Sequence, residues 1–160
     1  MAKKRIYVET SVLSYLTARP AKDELRRVHQ QRTALWWERR SHWECFLTPI
    51  VLVEIGQGDP EAAARRLEKA KLLTELPVSV DVHPLADLLR ARKLVPEKEA
   101  TDAVHLATAA ILGAHYLLTW NQKHLDNLDL RSRIEDFIRG QGLTPAKVIT
   151  PERLLLEEPT

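Results

Sequence analysis

The sequence predicts an α/β fold, a single domain whose central parallel sheet is covered by helices in three layers, α/β/α. Two observations carry this expectation. Short β-like apolar runs alternate with longer helical segments, the order that calls for parallel strands joined by helical crossovers. The chain has 160 residues and is 44% hydrophobic, enough for one substantial core and within the usual span of one domain. No internal repeat or low-complexity linker divides it. The domain is therefore expected over residues 1–160, with a core at about 4–150 and a short C-terminal helix at 151–158.

The elements follow in order. "KRIYV" reads as the first strand and leads into a helical "TSVLSYLTARP". The charged "KDELRRVHQQRTALWWERR" reads as a long helix before a second strand, "ECFLTP". There Thr48 can cap and Pro49 can take the first position of the helix "IVLVEIGQG". Asp59 and Pro60 repeat that logic at the start of "GDPEAAARRLEKAKLL". "LPVSVDV" reads as a strand, and "HPLADLLRARKLV" and "PEKEATDAVHLATAAILGA" as helices. "HYLLTW" and "AKVIT" are expected strands, and "PERLLLEE" a short closing helix.

Composition excludes several classes. The single cysteine, Cys45, rules out an intramolecular disulfide and fits a reducing cytoplasm. The start, "MAKKRIYVE", is basic but lacks the apolar stretch of a signal peptide. No apolar run approaches the roughly 18 residues of a membrane span. A formal net charge of +2 permits an anionic partner without demanding one.

Ligands of open parallel sheets bind beyond the carboxyl ends of the strands, so polar residues just after strands are the ones to inspect. Glu9 follows the first strand; alone, it fits an acid complementing a helix N-terminus. Glu54 sits among Ile50, Val51, Leu52, Val53 and Ile55. It fits either a narrow exposed stripe or a buried carboxylate that needs a partner. Asp102 opens a small-residue, apolar helix, as its cap or, with an earlier start at Pro96, as an internal acid. Asn121 follows "LLTW", where a turn or cap role is common for Asn.

Joint placement is more informative. Glu9 and Asn121 follow strands, while Glu54 and Asp102 lie early in apolar helices, so one sheet edge can collect all four. Three carboxylates within about 4–6 Å repel strongly, and a pair at 4 Å does so by about 4 kcal/mol at an effective dielectric near 20. A cation resolves that conflict. An all-oxygen donor set favours Mg2+, with Mn2+ able to substitute, over zinc. Such a centre suits metal-activated water attacking a phosphodiester.

Over almost its whole length the sequence resembles PIN-domain ribonucleases, specifically toxins of the VapC type from type II toxin–antitoxin pairs. The resemblance rests on "YVETSVLSYL", "TPIVLVEIGQGDPE", "ATDAVHLATAA", "YLLTWNQKHL" and "VITPERL", in that order and spacing. It implies a PIN-like fold and a Mg2+-dependent endoribonuclease, with Glu9, Glu54, Asp102 and Asn121 at the catalytic metal positions. It implies that Ser11 and Thr119 support the site. It also implies an RNA substrate, a homodimer, and a small antitoxin that blocks the acidic pocket and links the toxin to DNA only indirectly. Two positions depart from the family pattern: Glu9 and Asn121 each stand where Asp is usual. The alternative is a catalytically weak or inactive PIN-like module that binds RNA or a protein partner. A dehalogenase-type phosphatase would need two acids two residues apart after the first strand, which "YVETSV" lacks. A receiver domain would need an early acidic pair that is missing here, although "VSVDV" offers Asp81.

Other residues have blander readings. His105, three residues after Asp102, fits a hydrogen-bonded core histidine better than a metal ligand. Lys123 and His124 suit either substrate phosphate or solvent. The arginines between Arg26 and Arg40 read as a solvated helix face diluted by Asp23, Glu24 and Glu38. Trp36, Trp37 and Trp43 read as core or subunit-interface residues rather than base-stacking ones.

Overall fold

The computed structural model describes residues 2–96, 99–121 and 128–157. Five parallel strands form one sheet: β1 (Arg5–Val8), β2 (Glu44–Leu47), β3 (Thr74–Glu75), β4 (Tyr116–Leu118) and β5 (Lys147–Ile149). Their order is β3-β2-β1-β4-β5. The helices are α1 (Thr10–Thr17), α2 (Glu24–Glu38), α3 (Pro49–Ile55), α4 (Pro60–Ala70), α5 (Val82–Ala91), α6 (Ala100–Ile111), α7 (Leu128–Gly140) and α8 (Pro151–Leu156). A 3-10 turn at Arg40–His42 precedes β2. The protein is thus a single α/β domain with a parallel sheet flanked by helices, as expected.

The central strand explains the register of the rest. Ile6, Tyr7 and Val8 are fully buried, as a strand paired on both sides and covered on both faces must be. Tyr7 lies opposite Phe46 on one side and Leu117 on the other, and Leu118 lies opposite Ile149. The strands therefore end level. One sheet edge collects the residues that follow them: Glu9, Thr48, Thr119 and Thr150.

The helices start where the sequence marks starts. Asp23 and Asp59 cap α2 and α4 through the N–H groups of Arg26 and Ala62. Thr150 caps α8 through Arg153 N–H, with Pro151 in the first turn. α1 packs on α2, α3 and α4, α2 packs on α8, and α5 packs on α6. Trp36, Trp37 and Trp43 are all buried, which places them in the core. The arginine-rich face of α2 is exposed, with Arg26 over the Tyr15 ring. No described helix is long and apolar enough to cross a membrane.

Three local expectations are corrected. "LPVSVDV" is not a strand: β3 is the two-residue Thr74–Glu75 just before it, and Val82 already begins α5. Pro77 has no N–H to offer a ladder, which ends the pairing early. Thr48 occupies the cap position of α3 but makes no side-chain cap bond; its hydroxyl faces Tyr7 instead. α7 has no counterpart among the expected elements, because its apolar residues are sparse among charges in "LDLRSRIEDFIRG".

Cys45 lies on β2, half-buried. Burial pushes its thiol up to about 12, against the opposing charges of Arg40 and Lys3. A thiol reagent at about pH 8 should therefore modify it on the order of 1,000-fold more slowly than a free cysteine of pKa about 8.5, because only the thiolate reacts. Unfolding in urea should restore the ordinary rate. A fast reaction in the native protein would show that β2 does not shield the thiol.

Candidate active site

The candidate site is built on the level strand ends. Glu9 continues β1, its N–H bonding the carbonyl of Leu118 at 3.1 Å. Its extended backbone makes it the N-cap of α1. Its side chain caps that helix through one oxygen: Oε1 accepts from Ser11 N–H at 3.0 Å, from the Ser11 hydroxyl, and from the Thr119 hydroxyl at 2.6 Å. Ser11 and Thr119 each do two jobs. Ser11 Oγ also accepts from Trp120 N–H, and Thr119 Oγ1 from Asn121 N–H, both at 2.9 Å. The chain leaving β4 is thereby tied to the start of α1.

Glu54 is placed by α3, about a helical turn and a half beyond the end of β2. Its Oε1 accepts from the Thr10 hydroxyl at 2.6 Å and lies 2.9 Å from His105 Nε2. Burial alone would raise its carboxyl above the ordinary range. The hydrogen bonds from His105 and Thr10 work against that, and its pKa is lowered. Glu54 therefore stays ionised at neutral pH. The expected conflict between an apolar helix and a carboxylate is resolved by partners, not by exposure: the side chain is 25% exposed.

Asp102 lies in the first turn of α6, where the helix N-terminus favours negative charge. It is an internal acid of the helix and not its cap, because Glu99 takes the cap position. Asn121 donates its amide N–H to Asp102 Oδ1 at 3.3 Å, which leaves its carbonyl as a ligand or acceptor atom. Glu9, Asp102, Thr119, Asn121 and His105 share one small cavity of about 30 Å3, about the space of one water. Glu54 does not line this cavity; it connects to it through His105.

The four sequence-predicted side chains thus gather at one edge, but not as a closed cluster. Among the described residues, no three His, Cys, Asp or Glu side chains converge closely enough to hold a metal ion together. Each carboxylate is anchored by its own donors. The donor chemistry nonetheless fits a hard cation. Among the described residues, the hydrogen bonds to Glu9 and to Glu54 all end on Oε1, which leaves Oε2 of each as a possible oxygen ligand. Lys123 and His124 lie outside the described residues. Neither Thr10 nor Tyr7 is among the site residues expected from the sequence. The one available signal for Thr10 was its position directly after Glu9. His105 is a buried, hydrogen-bonded histidine, as its apolar surroundings suggested.

This level-ended parallel sheet with acids at its carboxyl edge is a PIN-like fold. Among the solved structures that resemble it is Mycobacterium tuberculosis VapC20, a sarcin-ricin loop cleaving toxin, at a TM-score of 0.57 and 18% identity. The match covers 76% of this chain and 93% of VapC20. At that identity it shows the fold alone. No protein-family profile and no curated protein matches the sequence.

The anchoring of Glu9 yields a stability prediction. Thr119→Val removes a donor to a carboxylate and the acceptor of Asn121 N–H. Urea denaturation at neutral pH should show a loss of about 1–3 kcal/mol. An unchanged midpoint would mean that water replaces Thr119 at no cost.

Proposed function

We propose that the protein is a Mg2+-dependent endoribonuclease that acts as the toxin of a toxin–antitoxin pair. The observation that carries this reading is the double anchoring of Glu9 and Glu54 at the carboxyl edge of a PIN-like sheet, with Asp102 and Asn121 paired beside them. Glu9, Glu54, Asp102 and Asn121 are the residues that would hold the cation. Once bound, it supplies a lowered water pKa and positive charge opposite the phosphate. The protein's own share is positional. Ser11 and Thr119 fix Glu9, Thr10 and His105 fix Glu54, and the α6 N-terminus favours a charged Asp102. Asn121 in place of a fourth acid lowers the negative charge of the site, which favours one metal ion over two.

The same reading assigns further properties by its likeness to VapC-type toxins. The substrate is RNA, the working form is a homodimer in the cytoplasm, and a small cognate antitoxin covers the acidic edge. DNA is met only through that antitoxin. The dispersed arrangement of the acids favours one other reading, a weakly active or inactive PIN-like module that binds RNA or protein.

A structured RNA panel separates the two. The parent should cleave with Mg2+ and stop with EDTA. Glu54→Gln and Asp102→Asn should keep the fold and lose activity by at least on the order of 100-fold, since even outer partners of metal ligands are worth about 10–100-fold. Cleavage by both variants at the parent rate would refute the site assignment. No cleavage by the parent on any RNA would favour the binding module.

A further inference from the structure

Behind Glu54 runs a line of buried polar groups of which the proposed chemistry uses only the first, His105. His105 Nδ1 lies 2.8 Å from the Tyr7 hydroxyl, which lies 3.3 Å from Thr48 Oγ1. Thr48 and Tyr7 are fully buried and His105 is 2% exposed. Three polar side chains in a core this dry need mutual partners, and each has them. The line is fixed by the fold. Tyr7 sits at the centre of β1, stacked on Phe46 of β2 with centroids 5.6 Å apart. Thr48 follows β2 and forgoes its cap bond to α3. His105 is one helical turn beyond Asp102 on α6.

The direction of the line follows from its far end. An ionised carboxylate only accepts, so the proton between His105 and Glu54 sits on Nε2. We propose that His105 is the positioning residue of Glu54, with Tyr7 donating to Nδ1 and Thr48 to Tyr7, so that every donor points toward the carboxylate. His105 is then not a metal ligand. Its ring is used at both nitrogens by the protein itself, and its part is to hold Oε1 so that Oε2 faces the cation. The same ring lines the cavity shared by Glu9 and Asp102, so it touches both halves of the site. The part of this inference that concerns the cation rests on the nuclease reading; the tautomer does not.

The test uses the whole protein in two arms. In metal-free protein at neutral pH, nitrogen-15 side-chain spectra should show His105 protonated at Nε2 and accepting at Nδ1. A ring protonated at Nδ1, in either charge state, would overturn the proposal. In the second arm Mn2+ is titrated against the parent, Tyr7→Phe, His105→Gln and His105→Leu. Tyr7→Phe keeps the ring and its stacking but removes the donor; it should weaken Mn2+ binding by about 10-fold, the lower end of what outer partners of metal ligands contribute. His105→Gln retains an N–H for Glu54 and should bind Mn2+ more tightly than His105→Leu. Parent-like affinity in Tyr7→Phe, with its fold intact by near-ultraviolet circular dichroism, would overturn the positioning role. If the parent itself binds no Mn2+, the nuclease reading falls, and the tautomer alone decides the inference.

Discussion

Like charges gathered at one sheet edge repel, and a carboxylate pair at 4 Å does so by about 4 kcal/mol at an effective dielectric near 20. The local structure around the site is organised by that constraint. Glu9 takes three donors on a single oxygen, and Glu54 takes two. Each hydrogen bond to a charged group is worth about 1.5–3 kcal/mol, so two or three of them offset one such repulsion. The carboxylates are therefore held apart, each turned by its own donors. That is a state from which a cation can be bound without first paying for full desolvation of bare acids.

The fold supplies these donors from distant parts of the chain. Ser11 and Thr10 come from the first turn of α1, Thr119 from the end of β4, and His105 from α6. Level strand ends bring them together: because Val8 pairs with Leu118 and Leu118 with Ile149, the residues that follow lie side by side. The hydroxyls work twice, accepting backbone N–H groups of Trp120 and Asn121 while donating to Glu9. Site geometry and the path of the chain after β4 are thus held by the same two side chains. Beneath them, Tyr7 carries order from the middle of β1 through His105 to Glu54.

Much of this was legible in the sequence. Alternating β and helical runs gave the parallel sheet, and Pro49, Asp59–Pro60 and Pro151 marked helix starts that the structure keeps. Glu9, Glu54, Asp102 and Asn121 stood out because each is polar at the carboxyl edge or early in an apolar helix. What failed has physical causes. "LPVSVDV" alternates like a strand, yet Pro77 breaks the ladder and leaves only Thr74–Glu75 paired. α7 escaped because its charges mask a modest apolar stripe. The role of Tyr7 was hidden, because no local pattern reveals a partner such as His105, 98 residues away in sequence. The separation of the acids into individually anchored groups was equally hidden, since spacing says nothing about which hydroxyl each oxygen meets.

The central claim is that separately anchored acids at this edge form one cation site. The most direct measurement is thermal unfolding of the metal-free protein with and without Mg2+, for the parent and for Asp102→Asn. A ligand that binds only the folded state at 100 times its dissociation constant adds about 2.7 kcal/mol of stability. The parent should therefore melt several degrees higher with saturating Mg2+, and Asp102→Asn should lose most of that rise. An identical melting temperature with and without Mg2+ in the parent, at every concentration up to the millimolar range, would contradict the account.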